Sequence, residues 1–362
     1  MTNAFKANHF PTTCLLLGLL AMAGCSPDSP PPAPSNEDVD NAVMPSAGVV
    51  NLYSTRHYDS DKILFERFRQ DTGIEVRVRE AGAAQLLETM AAEGASSPAD
   101  VILAADAGTL WRFKDAGLTA AIGSEAVKAA IPEALRDPDD HWTGLAKRYR
   151  VIAYDPEIHT ADDVDAMTDL AGEAFANNLC IRSSSNIYNL SLLAEMTVRM
   201  GPQASGDWAE AVAGNFARDP QGGDTAQIEA VAAGACSAAI VNHYYWVRLA
   251  ESGSEAQQAS AAATTLSFAD AGSGVHRNVT GAAMAANAPN PDNARALIAY
   301  MTTQDGQSLL VTETKEFPVV EGVALPAGLE TLSVGAESDI PLARLGEFQA
   351  EAQRLYDRAG WN

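Results

Sequence analysis

Short apolar runs alternate with longer amphipathic stretches from residue 48 onward, and this alternation limits the fold more than any other feature. The run 49–53 is typical of a buried strand, and the stretch 59–73 has the apolar spacing of a helix that ends at a glycine. The same pair of patterns recurs at 74–90 and at 101–117. Repeated βα units of this length predict a parallel sheet that helices cover on both faces.

A second α/β set begins near residue 151. The patterns predict strands at 151–154, 179–181, 238–241 and 278–285, and helices at 208–216, 225–233 and 291–301. The stretch 252–263 is expected to be a surface excursion. We therefore expect two α/β lobes, with lobe 1 formed by 48–149 and 277–325 and lobe 2 by 150–276 and 326–362. The chain is expected to cross between the lobes near 149–153 and near 277–280.

The charge balance limits the classes of partner. Among 362 residues, 24 are Lys or Arg and 47 are Asp or Glu, which gives a formal net charge of −23. Nucleic acids and anionic membrane surfaces need a basic footprint, so neither is expected as a partner. No apolar run approaches the roughly 18 residues of a membrane-spanning helix. With 47% hydrophobic residues, the chain can bury a sizeable core.

The amino terminus has the organisation of an export signal. Lys6 is followed by a short apolar stretch, and residues 22–25 (Met-Ala-Gly-Cys) are similar to the lipobox of bacterial lipoproteins. We therefore expect a lipoprotein signal peptide at 1–24, lipidation at Cys25 and a proline-rich tether at 25–47. This would anchor an exported protein at a membrane, facing the periplasm. A plain secretory signal with an incidental cysteine is the alternative.

Two cysteines, Cys180 and Cys236, remain after the signal region. An exported protein favours a disulfide between them if the fold brings them together, and two free buried thiols are the alternative. Their spacing is not that of a metal site, because there is no CxxC pair and no nearby set of histidines.

The sequence contains no Gly-x-Ser-x-Gly elbow, no His-Glu-x-x-His and no phosphate loop, so an enzyme is not expected. Three segments stand out instead: 54–58 (Ser-Thr-Arg-His-Tyr), 182–189 and 242–246 (Asn-His-Tyr-Tyr-Trp). Each follows a predicted strand, and open α/β sheets bind ligands at the carboxyl ends of their strands. Any one tyrosine could be a packing residue, but adjacent tyrosines on a loop are harder to explain in that way.

These segments, together with 97–101 (Ser-Pro-Ala-Asp-Val) and 147–151 (Lys-Arg-Tyr-Arg-Val), resemble ferric-iron-binding proteins of bacterial ABC importers, in order from about 49 to 320. The resemblance implies a type II periplasmic-binding-protein fold, with two lobes joined by two crossing strands. It also implies a monomer that delivers Fe³⁺, with or without an anion or chelate, to an inner-membrane permease. The ligands implied are His57, Tyr58, Tyr188, Tyr244 and Tyr245. A glutamate ligand of one subgroup is not matched, since Asp106 stands near that position.

The residue types suit this chemistry. Fe³⁺ is a hard cation that prefers anionic oxygen donors, and a bound cation stabilises phenolate at neutral pH. Arg56, Arg150 and Arg182 either stabilise phenolates and anions or form ordinary ion pairs. The alternative function is binding of an oxyanion or small organic ligand, since Ser183–Ser185 precede a predicted helix start. An exported hydrolase with a tyrosine nucleophile is a third class, and it lacks a recognisable acid/base partner.

Overall fold

A computed structural model describes residues 48–56, 58–269 and 271–361. The expected signal peptide at 1–24, Cys25, the tether at 25–47 and His57 lie outside the described residues. In the part of the chain that is described, no helix is long and apolar enough to cross a membrane.

The described residues form ten strands and twelve α-helices. The strands are β1 (Val49–Ser54), β2 (Glu75–Glu80), β3 (Val101–Ala104), β4 (Thr119–Ala120), β5 (Trp142–Tyr154), β6 (Leu179–Cys180), β7 (Ala238–Asn242), β8 (Thr265–Ser267), β9 (Arg277–Ala285) and β10 (Phe317–Pro318). The helices are α1 (Ser60–Thr72), α2 (Ala83–Glu93), α3 (Ala107–Asp115), α4 (Glu125–Ala130), α5 (Ile187–Met200), α6 (Pro202–Gly214), α7 (Asp224–Ala232), α8 (His243–Ala250), α9 (Glu255–Ala262), α10 (Pro291–Tyr300), α11 (Gln304–Thr314) and α12 (Leu342–Ala359).

The first three strands build one half of the protein. β1 pairs in parallel with β2 and with β3, and β9 then pairs antiparallel with β3. One hydrophobic cluster covers this region, and it includes Leu52, Phe68, Phe113 and Leu297, all fully buried. We call the strands β1–β4, β9 and β10, with their helices, the β1 half.

Strands β6, β7 and β8 build the other part, which we call the β7 half. β6 and β7 are parallel neighbours, with Cys180 opposite Ala239. Two further hydrophobic clusters cover these strands. The sulfur atoms of Cys180 and Cys236 are in contact, and their Cα atoms lie 5.7 Å apart, which is the Cα spacing that a disulfide requires.

The long strand β5 joins the two halves. Its residues 142–149 pair with β9, and its residues 150–154 pair with β7. The strands therefore follow one hydrogen-bonded path in the order β2-β1-β3-β9-β5-β7-β6. β5 changes partners between Tyr149 and Arg150, within the segment where the sequence predicts a crossing. The lobe boundaries given above remain a prediction.

Helix α12 packs on both halves. Its residue Leu345 belongs to the cluster of the β1 half, whereas Leu355 and Tyr356 belong to a cluster of the β7 half. The carboxyl-terminal helix thus spans the junction as a second connection beside β5.

Three details differ from the sequence predictions. The sheet is mixed rather than wholly parallel, because β5 and β9 run antiparallel to their neighbours. The fourth predicted strand begins at Trp142 instead of residue 151. The expected surface excursion at 252–263 contains helix α9, because its alanines and glutamines are good helix formers.

Candidate functional site

Four of the five predicted ligands lie close together where strands of the two halves end. Tyr58 lies between β1 and α1, and Tyr188 lies in the first turn of α5. Tyr244 and Tyr245 lie in the first turn of α8. The sequence predicted these two on a loop, and this was wrong, because the helix begins directly at His243. Since β1, β6 and β7 end nearby at Ser54, Cys180 and Asn242, the site forms at the carboxyl ends of parallel strands.

The tyrosines of the β7 half are connected to one another. The Asn242 side-chain amide donates to the Tyr244 hydroxyl at 3.2 Å, and that hydroxyl donates to the Tyr188 hydroxyl at 3.2 Å. The rings of Tyr244 and Tyr245 lie 4.5 Å apart between centroids. Tyr244 is almost fully buried, with 1% of its surface exposed. Three phenol groups from two helices are thereby held in one place.

One arginine faces tyrosines from both halves. The guanidinium carbon of Arg248 lies 5.0 Å from the ring centroid of Tyr58 and 4.7 Å from that of Tyr244. It also lies 5.6 Å from the ring centroid of Tyr245. Distances of this size are those of cation–π contacts. Tyr58 therefore belongs to the same cluster as the tyrosines of α8.

Four more arginines surround the cluster. Arg148, Arg150 and Arg182 face the Tyr188 ring at 5.0, 5.8 and 5.5 Å, and Arg56 faces the Tyr58 ring at 4.8 Å. Sequence reasoning missed Arg148 and Arg248 as neighbours of the site. Arg148 was visible in the Lys-Arg-Tyr-Arg-Val string, but nothing in the sequence marks Arg248, which reaches the cluster from the second turn of α8.

The three arginines named from the sequence form ion pairs as well. Arg56 pairs with Asp61 at 2.9 Å, while Arg150 and Arg182 share Asp224 at 2.6 and 2.9 Å. Of the two roles considered for these side chains, the ion pairs are present, and stabilisation of phenolates or anions stays a prediction. Among the described residues, several buried guanidinium nitrogens have no hydrogen-bond partner, namely Nε and Nη1 of Arg56, Nη2 of Arg148 and Nε of Arg150 and Arg182.

Burial controls the protonation of the tyrosines. Desolvation raises the pKa of Tyr188, Tyr244 and Tyr245 above the ordinary value of 10.0. Neighbouring tyrosines raise the pKa of Tyr188 further, and the charge of Arg148 opposes the shift. Without a ligand, these phenols keep their protons at neutral pH. Only a strongly charged cation can displace three protons from such a site.

The donor set is otherwise poor in metal ligands. Across the described ranges, no three His, Cys, Asp or Glu side chains come together in a way that could hold a metal ion. A metal bound at this cluster would therefore be coordinated mainly by phenol oxygens, which favours a hard, highly charged ion.

Asp106 is not part of the tyrosine cluster. It caps α3 by accepting from the Thr109 backbone at 2.8 Å, and it also accepts from Ser191, Asn278 and Gln349 at 2.6, 2.7 and 3.0 Å. These four donors belong to α3, α5, β9 and α12. Its role is to hold these elements together.

The serines considered for an anion site are occupied locally. The Ser183 and Ser185 hydroxyls lie 3.0 Å apart, and the Asn186 side chain accepts from the Tyr188 amide at the start of α5. Outside the site, His159 also lies in the interior. Its ring is buried against Phe175 and bonded to Ser237, because the fold places this loop on β7.

The chain is similar to known binding proteins over most of its length. Residues 54–308 match the family described as bacterial extracellular solute-binding protein. Iron uptake protein A1 of Synechocystis is 38% identical over 344 residues, which cover 95% of this chain and 93% of the relative.

Two solved structures are similar over most of the chain. A Trichodesmium protein in complex with iron and citrate ligands has a TM-score of 0.82 and 38% identity, covering 87% of this chain and 100% of that chain. The ferric binding protein of Campylobacter jejuni has a TM-score of 0.83 and 31% identity, covering 86% of this chain and 100% of that chain.

Proposed function

The chain belongs to the family of bacterial extracellular solute-binding proteins and has the α/β, two-lobed fold expected from its sequence; we propose that it binds ferric iron between its two halves and delivers it to an ABC importer. The observation that carries the proposal is the convergence of Tyr58, Tyr188, Tyr244 and Tyr245 under five arginines. Relatives named for iron uptake and ferric iron binding support it. The family is one of binding proteins, so an enzymatic activity is not proposed.

The proposed ligands are His57, Tyr58, Tyr188, Tyr244 and Tyr245. The β7 half contributes three phenols and can hold the metal by itself. The β1 half contributes His57 and Tyr58 when the halves approach, which completes the coordination. A permease that recognises the closed form would then distinguish loaded protein from empty protein.

The arginines account for the charge of the loaded site. Four phenolates and one Fe³⁺ leave a net charge of about −1, which is unfavourable in a buried place unless cations lie nearby. Arg148, Arg150 and Arg248 contact the rings of the same tyrosines. Their positive charges lower the free energy of the phenolate form and so favour binding of a trivalent cation.

Binding of an oxyanion or small organic ligand is less well supported. The Ser183 and Ser185 hydroxyls bond to each other, and the Asn186 side chain already accepts from the Tyr188 amide at the start of α5. Protonated tyrosine hydroxyls can donate to an anion, so the names of the relatives, which refer to iron, favour the ferric function over this one.

We also propose the processing and location expected from the amino terminus. Cleavage after residue 24 would leave a lipid on Cys25, and the tether 25–47 would let the body move in the periplasm. In that oxidising compartment the pair Cys180–Cys236 is proposed to be a disulfide. The loaded protein is proposed to act as a monomer that meets an inner-membrane permease.

A visible spectrum tests the iron proposal. The purified mature protein is titrated with ferric citrate, and a coloured phenolate-to-iron band is expected to grow and saturate at one iron per chain. An oxyanion-binding protein would give no such band and would instead respond to the anion alone. Absence of a band together with absence of iron retention after gel filtration would overturn the proposal.

A further inference from the structure

His243 precedes the tyrosine pair in the sequence, and its ring contacts the Tyr244 ring at 5.7 Å between centroids, yet both ring nitrogens bond to backbone groups outside the cluster. It is fully buried. Its Nδ1 accepts from the Tyr149 backbone amide at 3.2 Å, which places the ring proton on Nε2. That Nε2 then donates to the Lys315 carbonyl oxygen at 3.1 Å. The imidazole is therefore a fixed bridge between two backbone positions.

The bridge lies where β5 changes partners. β10 pairs with β5 at residues 146–147 and β7 pairs with it from Arg150 onward, both on the edge opposite β9. The Tyr149 amide falls between these two pairings and has no strand to bond to. His243 supplies the missing acceptor at this point.

The same helix contacts the carboxyl end of α11 at two further positions. Arg248 donates to the Thr314 carbonyl oxygen at 3.2 and 2.7 Å, and Glu251 pairs with the Lys315 ammonium at 2.5 Å. Cationic donors at this end suit the partial negative charge of the last carbonyls of a helix. Arg248 of α8 and Glu251, the residue directly after this helix, thus both bind the carboxyl end of α11.

The two helices belong to different halves. Leu310 and Val311 of α11 pack in the cluster of the β1 half, whereas Val247 and Leu249 of α8 pack in a cluster of the β7 half. The contact therefore ties the helix that carries Tyr244 and Tyr245 to the opposite half of the protein.

We propose that His243 and Arg248 are positioning residues that fix the tyrosine pair of α8 against the carboxyl end of α11 and so couple iron retention to the relative position of the two halves. This rests on the proposed ferric function. His243 holds the start of α8 at the strand switch, and Arg248 connects Thr314 with the rings of Tyr58 and Tyr244. Neither residue is a ligand, so their loss would leave the ferric–phenolate chemistry in place and weaken its retention.

The test compares three variants with the wild type. His243→Phe keeps an aromatic ring but removes both hydrogen bonds. Arg248→Met keeps a long, unbranched side chain but removes the positive charge and the guanidinium donors. His159→Phe is the matched control, because it replaces a buried histidine next to Ser237, at the opposite end of β7 from the tyrosines. For each protein we would measure the ferric affinity against a competing chelator, the iron release rate, the wavelength of the phenolate-to-iron band and the thermal transition.

We expect His243→Phe and Arg248→Met to keep the band within a few nanometres of the wild type. We expect their affinity to fall about 10- to 100-fold, with release faster by a similar factor, as is usual when groups that orient ligands are removed. His159→Phe should stay within about twofold of the wild-type affinity. Arg248→Lys, which keeps the charge, should recover part of the loss.

Wild-type affinity and release rate in both variants would overturn the positioning role, and so would an equal loss in His159→Phe. If His243→Phe does not fold, Arg248→Lys decides the question, because it keeps the charge that stabilises phenolate but loses the paired guanidinium donors to the Thr314 carbonyl oxygen, and wild-type affinity in it would overturn the positioning role. A wild-type protein that never develops the ferric band would instead refute the proposed function. The two failures are therefore distinguishable.

Discussion

The two sides of the tyrosine cluster are built differently. On the side of the β7 half, Tyr188, Tyr244 and Tyr245 occupy the first turns of two helices that follow neighbouring parallel strands. On the side of the β1 half, Tyr58 lies on a short connection before α1 and contacts the cluster through Arg248. The first side is held by the hydrogen bond between Tyr244 and Tyr188, and we expect the second, on its short connection, to be the movable one. A site built in this way can capture an ion on the rigid side and signal its presence through the movable side.

The strongest test of this asymmetry removes the rigid side. Tyr244→Phe combined with Tyr245→Phe deletes two proposed ligands while keeping both rings packed. We expect ferric binding to weaken more than about 100-fold, which exceeds the roughly 10- to 100-fold loss usual when a residue that orients a ligand is removed. Most of the colour should disappear. Spectral titration with ferric citrate measures both. Wild-type colour and affinity in the double variant would refute the ligand assignment.

Acidification should weaken binding on the same side. Burial raises the pKa of Tyr188, Tyr244 and Tyr245, so the empty protein holds protons that the ferric complex must release. The empty form is therefore favoured as the pH falls, by about tenfold per pH unit for each proton released. Ferric affinity measured between pH 5 and 8 should rise with pH. The slope of log affinity against pH gives the number of protons released on binding, and Tyr188→Phe should lower that number by about one. A flat profile would contradict phenolate binding. Reduction to Fe²⁺, a softer ion, should weaken binding further.

Removal of the movable side should cost less. Tyr58→Phe leaves three phenols in place, so we expect ferric affinity to fall about tenfold. This is the low end of the range seen when residues that orient metal ligands are removed. The colour should persist, and small-angle scattering should show less compaction on iron addition. A loss as large as that of the double variant would show that the two sides contribute equally.

The proposed disulfide gives a test of how strongly the β7 side is stabilised. Cys180 and Cys236 are separated by 56 residues, and the proposed bond would join the region of β6 and β7 from which both ligand helices follow. Replacing both with serine should lower the free energy of unfolding by about 4 kcal/mol, from the closure of a loop of that length. Thiol titration of the denatured, unreduced mature protein should find neither cysteine. Two reactive thiols would contradict the bond.

The smallest effect on iron is expected from Tyr149→Phe. The Tyr149 hydroxyl donates to Glu337, which lies away from the cluster, and its pKa is raised by burial and by that carboxylate. The variant should lose about 1 kcal/mol of stability, as expected for one hydrogen bond, and should lose far less ferric affinity than the Tyr244/Tyr245 variant. Isothermal titration and thermal unfolding measure the two quantities.

Much of the site was visible in the sequence, because each tyrosine segment follows a strand whose apolar run is clear. The order of the βα units was predictable for the same reason. The start of α8 was not, since a run of His, Tyr and Trp has modest helix propensity and resembles a loop. Arg248 was invisible because its partners come from other parts of the chain.

The first half of β5 was missed for an electrostatic reason. Residues 147–150 lack the alternation of apolar and polar side chains that predicts a strand, because Lys147, Arg148 and Arg150 are charged. The strand that they form is nevertheless buried on both sides. Arg148 and Arg150 are buried because Glu316 and Asp224 pair with them from distant segments. No local pattern contains that information, and a charged run is usually a solvated one.

The four donors on Asp106 have a consequence for protein engineering. A carboxylate near the end of β3 is attractive as a starting point for a new oxygen ligand, because the charge is already in place. Yet Ser191, Asn278 and Gln349 each occupy one of its lone pairs from a different element. Freeing the carboxylate would require three substitutions in three packed contacts at once. A designer would do better to introduce a new side chain on the connection before α1 and leave Asp106 as it is.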